Sequence, residues 1–470
     1  MTTSPIITQL ISFILMPIIA RLYSPAFFGL FNLFSSLSGP LLTFSNFGYH
    51  QAIVLPEKDE EASNILYGNI AISFIASAVF IFVLWQIPES LWADLKIISV
   101  KEFWWVIPFT VLFHGINSAF TVWNQRKTKF NFIAISRIIN ALINKVYILF
   151  VGYIGYATTG SLILGSFAGL FIMTFISAIP FLKNKLFIPN FKEIIIVLKK
   201  YKKFPIFILS SDLVFRSTSS IIFILLVYYF SESDAGHYGM AMMLSAAPAI
   251  LIGTAIGEVF YQKAAAEIEN QNRQRVYVQL FNKLFKLSLF SFIVLGIASE
   301  QIFIIFLGQE WQKAGTFTSI LCFQMFIAFI MTPIINLAKI YNKQEYVLLE
   351  QFLILIFSTV SIYAGAFFNN VVIAIILLSV TTGLINLFIG LAIFRVVDIP
   401  YNQIFGIVIK YILYSLPLSS LLFLSINYFH FSNVGILLIA LFALSIHYSF
   451  VLFTDSDLLK IMRGIIKKLG

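Results

Sequence analysis

The few ionisable residues that interrupt the long apolar runs of this chain are mostly cationic. Residues 131–152 carry Arg137 and Lys145, and the stretch ILSSDLVFRSTSSII places Asp212 and Arg216 four positions apart, with Ser217, Thr218, Ser219 and Ser220 just beyond. An ionisable group in hydrocarbon costs about 2.5 to 3.5 kcal/mol on insertion scales, so one retained within an apolar run faces a cavity or a partner. With helices entering from the cytoplasm at a rise of about 1.5 Å per residue, Arg137 sits about 9 Å in, Lys145 about 21 Å and Arg216 about 18 Å. Arg21 closes the first apolar run on the opposite side. Guanidinium grips phosphate oxygens in pairs and ammonium holds them as a point charge, so the chemistry these cations suit is the binding of an anion.

Two alternatives stay open here. Asp212 and Arg216 also have the spacing of an intrahelical pair that neutralises itself for insertion. Arg137, near the cytoplasmic edge, has the length to snorkel to the surface. Asn140 and Asn144 continue the Arg137 face as a polar stripe. Glu258 and Glu350 read as structural groups near the inner surface, and Glu57, Asp59, Glu60 and Glu61 as a solvated loop.

Other chemistries find no support. The five histidines, His50, His114, His237, His430 and His447, stand singly, without the spacing a zinc site needs, and read as packing or interfacial groups. Cys322 is the only cysteine, which excludes an internal disulfide or a cysteine-based cluster. No GxxxxGK[ST] loop is present, which excludes direct use of ATP, and no large aqueous loop carries paired carboxylates for acid–base work. No cofactor is expected, and transport is the function class that remains.

The elements that must position these cations are transmembrane helices. The 470 residues are 59% hydrophobic and only 11% charged, where soluble domains carry about a quarter charged residues. Apolar runs of helical length fall near 5–20, 27–47, 65–86, 103–123, 131–152, 160–181, 204–229, 238–261, 284–307, 315–338, 347–368, 371–393, 404–427 and 433–453. The expected fold is an all-α integral membrane protein of about fourteen spans. Runs such as Ile221 to Phe230 are continuously apolar, unlike the alternating strands of a membrane barrel. The N-terminal run lacks a basic region and a cleavage site, so it reads as a retained first span. It is short for a span.

The net charge of +10 does not point to nucleic acid, because the basic residues lie in short loops and report orientation instead. Arg126, Lys127 and Lys129, the lysines of 183–203, then Lys263, Arg273, Arg275, Lys283 and Lys286, and finally Lys460, Arg463, Lys467 and Lys468 all fall on one side. The opposite loops hold little beyond Arg21, Lys96, Lys101 and Lys313. Both termini are therefore expected in the cytoplasm. The organisation expected is an N-terminal lobe over 1–182 (six spans), a basic cytoplasmic linker over 183–203, a second lobe over 204–394 (six spans), and two further spans with a basic tail over 395–470. The linker helix around Ile194 to Leu198 and the tail SDLLKIMRGIIKKLG both suit anionic lipid, or serve simply as topology anchors.

Sliding the first half by 207 residues lays LYSPAFFGLFNLF (22–34) on YFSESDAGHYGMA (229–241) and matches Ser24 with Ser231, Gly29 with Gly236 and Phe31 with Tyr238. An even offset in span number makes this a parallel repeat, the pattern of two pseudo-symmetric lobes around a central cavity.

ISFILMPIIARLYSPAFFGLFNLFSSLSGPLLTFSNFGYHQAIVLPEKDEEASNI and ESDAGHYGMAMMLSAAPAILIGTAIGEVFYQKAAAE resemble the two lobe openings of the Wzx-type O-antigen flippases, polysaccharide biosynthesis proteins of the MOP superfamily related to MATE exporters. The resemblance implies a V-shaped transporter with a cationic cavity in the bacterial inner membrane. Its cargo would be an undecaprenyl pyrophosphate-linked oligosaccharide, moved from the cytoplasmic to the periplasmic leaflet by alternating access. Polymerase and chain-length proteins of the same pathway, and membrane lipids, are the implied partners. Relatives often carry an acidic residue where this chain has His50 and Gln51, so a proton-coupling role for such an acid does not carry over. The competing classes are a MATE-like exporter of small cationic compounds, which a cationic cavity disfavours, and a membrane glycosyltransferase or ligase using a lipid-linked sugar.

Overall fold

The computed structural model describes residues 3–183, 189–248, 273–337, 343–396, 399–429 and 431–454. Among them every regular element is a helix. Among the described residues twelve helices are long and apolar enough to cross a membrane, and α1 (Thr3–Leu22) adds a shorter apolar helix over Ile7–Leu22. The expected span over 238–261 is described only through its start, α10 (Glu232–Ser245); Glu258, His430 and the basic tail lie outside the described residues. The chain is a multi-pass helical membrane protein.

It divides into two compact units, Met1–Gly236 and His237–Gly470. The first unit contains α1, α2 (Pro25–Leu42), α3 (Asp59–Gln86), the short α4 (Glu89–Asp94), α5 (Val106–Arg126), α6 (Phe130–Tyr153), α7 (Thr159–Leu182), the amphipathic α8 (Phe191–Lys200) and α9 (Lys203–Tyr229). The helix bearing Asp212 and Arg216 is thus part of the first compact unit, as is the basic segment before it.

Polar side chains inside this unit are numerous and face one another, because in hydrocarbon each must find a protein partner. Asn124 donates to Ser177 O at 2.8 Å, Ser177 to Asn117 Oδ1 at 3.0 Å, and Ser77 to Pro108 O at 2.9 Å. Close helix approach comes from small residues: Gly165 and Gly169 of α7 seat against α6, where a Cβ at Gly169 would lie 2.3 Å from Asn140 Oδ1. The Asn140–Asn144 stripe therefore packs on α7, a structural use of polar residues that the sequence left open.

The second unit holds α11 (Arg273–Phe306), α12 (Gln312–Leu337), α13 (Gln344–Phe367), α14 (Val371–Val396), α15 (Tyr401–Asn427) and α16 (Asn433–Thr454). Its core is aromatic and aliphatic, centred on Tyr277, Phe281, Leu284, Ile334, Ile393 and Phe394. The last span is fastened to α11: His447 stacks on Phe290 with ring centroids 4.6 Å apart, and Tyr448 donates to Leu287 O at 2.9 Å. His237, likewise a packing histidine, pairs with Glu310 O at 2.9 Å through Nε2 and sets its ring edge-on to Trp311. Glu350 is buried on α13.

The acidic run after the second span is not a free loop. Arg126 at the end of α5 donates to Pro56 O at 2.5 Å and Glu57 O at 3.1 Å, pairs with Asp59 at 3.2 Å, and lies within 3.5 Å of Ile53 O. Lys127 also binds Asp59, and Glu61 takes Lys200 of α8 at 2.5 Å. Hydrogen bonds to a charged group are worth about 1.5 to 3 kcal/mol each, less where solvent reaches them. We expect Arg126→Ala to cost about 3 kcal/mol, read as a fall of several degrees in the melting temperature of the purified protein in detergent. Arg126→Lys, with one point donor in place of a fork, should recover less than half of it. An unchanged melting temperature in the alanine variant would show that the clamp carries no stability.

Candidate functional site

The clamp matters because of what it holds in place. Between α2 and α3 the backbone makes a tight turn, with Phe47 at φ 49° and Gly48 at φ 78°, closed by Tyr49 N donating to Asn46 O at 2.9 Å. The 3₁₀ segment Tyr49–Val54 follows. Gly48 is required twice over: its φ is left-handed, and a Cβ there would lie 2.9 Å from Ile208 of α9. The turn brings the start of the 3₁₀ segment against α9.

Asn46 is the hub of the turn. Its Oδ1 accepts the Gly48 backbone N–H at 3.0 Å, the Asx-turn pattern, and stands 2.9 Å from His50 Nδ1. Since a backbone N–H only donates, this atom is the amide oxygen, and His50 Nδ1 must carry the proton. On the neighbouring helix α5, His114 Nδ1 lies 3.2 Å from Ser45 Oγ, and Ser73 of α3 donates to Ser45 O at 2.7 Å. Both histidines are within electrostatic reach of Arg216 on α9, and His114 also of His50. Arg216, His50 and His114, each half-buried, thus lie within electrostatic reach of one another, drawn from three segments of one unit.

His50 lies outside the membrane-spanning segments, and burial, with the Arg216 guanidinium second, lowers its pKa to about 4. His50 is therefore neutral near neutrality, with its lone pair on Nε2.

The five cations and acids singled out from the sequence are distributed as follows. Arg216 joins the histidines, and Asp212, one turn earlier, is within its electrostatic reach without a contact of 4 Å or less. Lys145 is half-buried on α6 with no ion pair or hydrogen bond among the described residues, and no electrostatic contact joins it to Arg216. Arg137 is also half-buried on α6, likewise without such a partner among the described residues, and Arg21 is exposed at the end of α1. The structure thus sets Arg216 within electrostatic reach of Asp212 and of two histidines, and among the described residues no contact joins Lys145 or Arg137 to that group. The two histidines were missed because each stands alone in sequence; the available signal was the string Ser45-Asn46-Phe47-Gly48-Tyr49-His50, a turn motif carrying a titratable ring. Among the described residues no cluster of three or more His, Cys, Asp and Glu could hold a metal ion.

Among the described residues the chain is a bundle of membrane helices in two units, with a few cations and imidazoles on or beside the spans. The family model described as polysaccharide biosynthesis protein matches residues 18–316, and the chain belongs to that family. Among solved structures it resembles the lipid II flippase MurJ in an inward closed conformation, with a TM-score of 0.75 at 13% identity over 97% of this chain and 99% of that one. It also resembles an inward-facing multidrug resistance MATE family transporter of the MOP superfamily, with a TM-score of 0.58 at 12% identity over 84% of this chain and 96% of that one. A MOP superfamily transporter from Pyrococcus furiosus matches with a TM-score of 0.51 at 14% identity over 84% of this chain and 93% of that one. At these identities the likeness is one of fold. No curated protein sequence matches the chain significantly.

Proposed function

We propose that this protein flips an undecaprenyl pyrophosphate-linked oligosaccharide, the repeat unit of an O-antigen or another surface polysaccharide, from the cytoplasmic to the periplasmic leaflet of the inner membrane by alternating access. The observation that carries the proposal is Arg216: a guanidinium on a membrane helix of a polysaccharide biosynthesis protein, with no carboxylate within 4 Å among the described residues and two imidazoles within its electrostatic reach. A pyrophosphate is the anion such a site suits, and Lys145 and Arg137 supply further cations on α6 for its passage. Both termini lie in the cytoplasm in this proposal, as the lysine and arginine asymmetry requires.

A sugar headgroup and its phosphates cannot cross hydrocarbon unaided, whereas the polyprenyl tail never leaves it. In the second unit, Phe281, Phe285, Phe326, Ile330, Leu391 and Phe405 line an apolar groove of about 390 Å³, a surface compatible with a hydrocarbon chain. The chain is a transporter and not an enzyme in this proposal; the polymerase and chain-length proteins of the pathway act on its product.

An anion leaving an inside-negative cell gains about 2.3 kcal/mol per charge per 100 mV. We therefore expect flipping in proteoliposomes to slow several-fold when the potential alone is collapsed; an unchanged rate would remove the potential as a driving force. The primary test is gene deletion with analysis of surface polysaccharide and lipid-linked intermediates. Loss of polymer with accumulation of one complete repeat on its lipid supports flipping. Normal polysaccharide with altered drug sensitivity overturns it in favour of an exporter.

A further inference from the structure

The cluster around Arg216 contains a group that binding of an anion alone leaves unexplained. His50 spends its Nδ1 proton on Asn46, and no hydrogen bond among the described residues reaches its Nε2. In the neutral ring Nε2 is an acceptor only, so an empty His50 offers an arriving phosphate oxygen a lone pair, which repels it. The ring becomes a donor there only by taking up a proton. Burial first and Arg216 second oppose that proton, and an anion seated against Arg216 removes the second and offsets the first.

We propose that His50 is a proton-linked phosphate ligand: seating of the substrate's pyrophosphate against Arg216 draws one proton onto His50 Nε2, which then donates to a phosphate oxygen. The inference rests on the pyrophosphate site proposed above. The step is a proton transfer: one N–H bond forms at Nε2 as the bond between that proton and a hydronium ion or buffer acid breaks, and no bond of the substrate changes. The charged and titratable groups that bear on His50 are Arg216 from α9 and His114 from α5. Tyr49 beside it donates away to Leu198 O at 3.2 Å, and Arg126 holds the far end of the 3₁₀ segment through Ile53 O and Pro56 O.

Three observations converge on His50 and not on its neighbour. The double acceptance by Asn46 Oδ1 fixes the His50 tautomer, so Nε2 is the face without a proton. His114 instead faces a hydroxyl, Ser45 Oγ, which can donate to Nδ1 and leave Nε2–H as a ready donor with no proton uptake. The lowered pKa of His50 in the empty site leaves room for a proton to be gained near neutrality. Binding and protonation are then reciprocal, so the site holds its cargo more tightly as the pH falls from about 7 toward about 5.

The test is isothermal titration calorimetry of the full-length protein in detergent with a farnesyl glucosyl diphosphate, a pyrophosphate diester whose phosphates carry no proton near neutrality. Titrations at about pH 6 in buffers of different ionisation enthalpy count the protons taken up from solution. The expected result is an uptake approaching one proton per probe in the native protein, none in His50→Gln, and an undiminished uptake in His114→Gln. Binding that depends on Arg216 but takes up no proton in the native protein would overturn this inference and leave the pyrophosphate site standing. Uptake lost in His114→Gln and retained in His50→Gln would overturn it as well. Probe affinity unchanged by Arg216→Ala would instead remove the pyrophosphate site itself. The native proton count needs no variant to fold, so the proposal stays open to refutation if His50→Gln is unstable.

Discussion

Arg216→Ala should abolish surface polysaccharide in a complementation assay, and Arg216→Lys should restore a measurable part of it. Truncating one partner of a desolvated charge pair costs about 2 to 5 kcal/mol, a loss of roughly 30-fold to several-thousand-fold in affinity. Lysine keeps the charge and loses the paired geometry, which places it between the two. The competing role for Arg216 is to neutralise Asp212 for insertion, and Asp212 is within its electrostatic reach one turn away. The double variant Asp212→Ala/Arg216→Ala separates the roles. If the pair exists for mutual neutralisation, removing both restores the protein. If Arg216 holds phosphate, the double variant is as inactive as the single one, with normal amounts of protein in the membrane. Lys145→Ala should weaken transport independently, because among the described residues no contact ties Lys145 to Arg216. Intact polysaccharide in both alanine variants would remove the cationic site from the mechanism.

Most of the helical frame was legible because hydrocarbon imposes a minimum apolar length on every span. The run expected over 371–393 is the helix Val371–Val396, and that over 131–152 is Phe130–Tyr153. Ends were less legible: α3 begins at Asp59 rather than at 65, because its acidic first turn is neutralised by Arg126, Lys127 and Lys200, so charges that read as loop are helix. Arg126 itself could be read only as an orientation signal, since four of its contacts are backbone carbonyls, which have no sequence signature. Arg216 was legible from the cost of its charge. His50 and His114 were not, because a neutral imidazole costs little in an apolar run and their meeting depends on a left-handed turn at Phe47 and Gly48.

The repeat that aligned Ser24 with Ser231 and Gly29 with Gly236 has a physical counterpart. Both serines stand at helix starts: Ser24 occupies the N-cap position of α2 without a side-chain bond, and Ser231 Oγ accepts the Asp234 N–H at 3.0 Å at the start of α10. The two glycines meet. A Cβ at Gly29 would lie 1.7 Å from Glu232 O, and one at Gly236 would lie 1.8 Å from Pro25 O, so the first turns of α2 and α10 touch backbone to backbone. Neighbouring bonds hold the same end, Lys96 Nζ to Tyr228 O at 3.0 Å and Ser99 Oγ to Glu232 Oε1 at 2.9 Å. Even a methyl cannot be accommodated by rotamer change, because the obstacle is a carbonyl and not a side chain. Overpacking typically costs about 1 to 3 kcal/mol, and a backbone obstacle belongs at or above the top of that range. Gly29→Leu should therefore force this crossing apart. In a Cys322→Ala background carrying Ser24→Cys, we expect maleimide labelling in intact membranes to rise several-fold on adding Gly29→Leu, with polysaccharide export lost. Gly236→Leu should act in the same way, since each glycine accommodates the other helix. A leucine at either position that left labelling and export unchanged would mean that the two helices do not need this contact, and the matched glycines of the repeat would be coincidence.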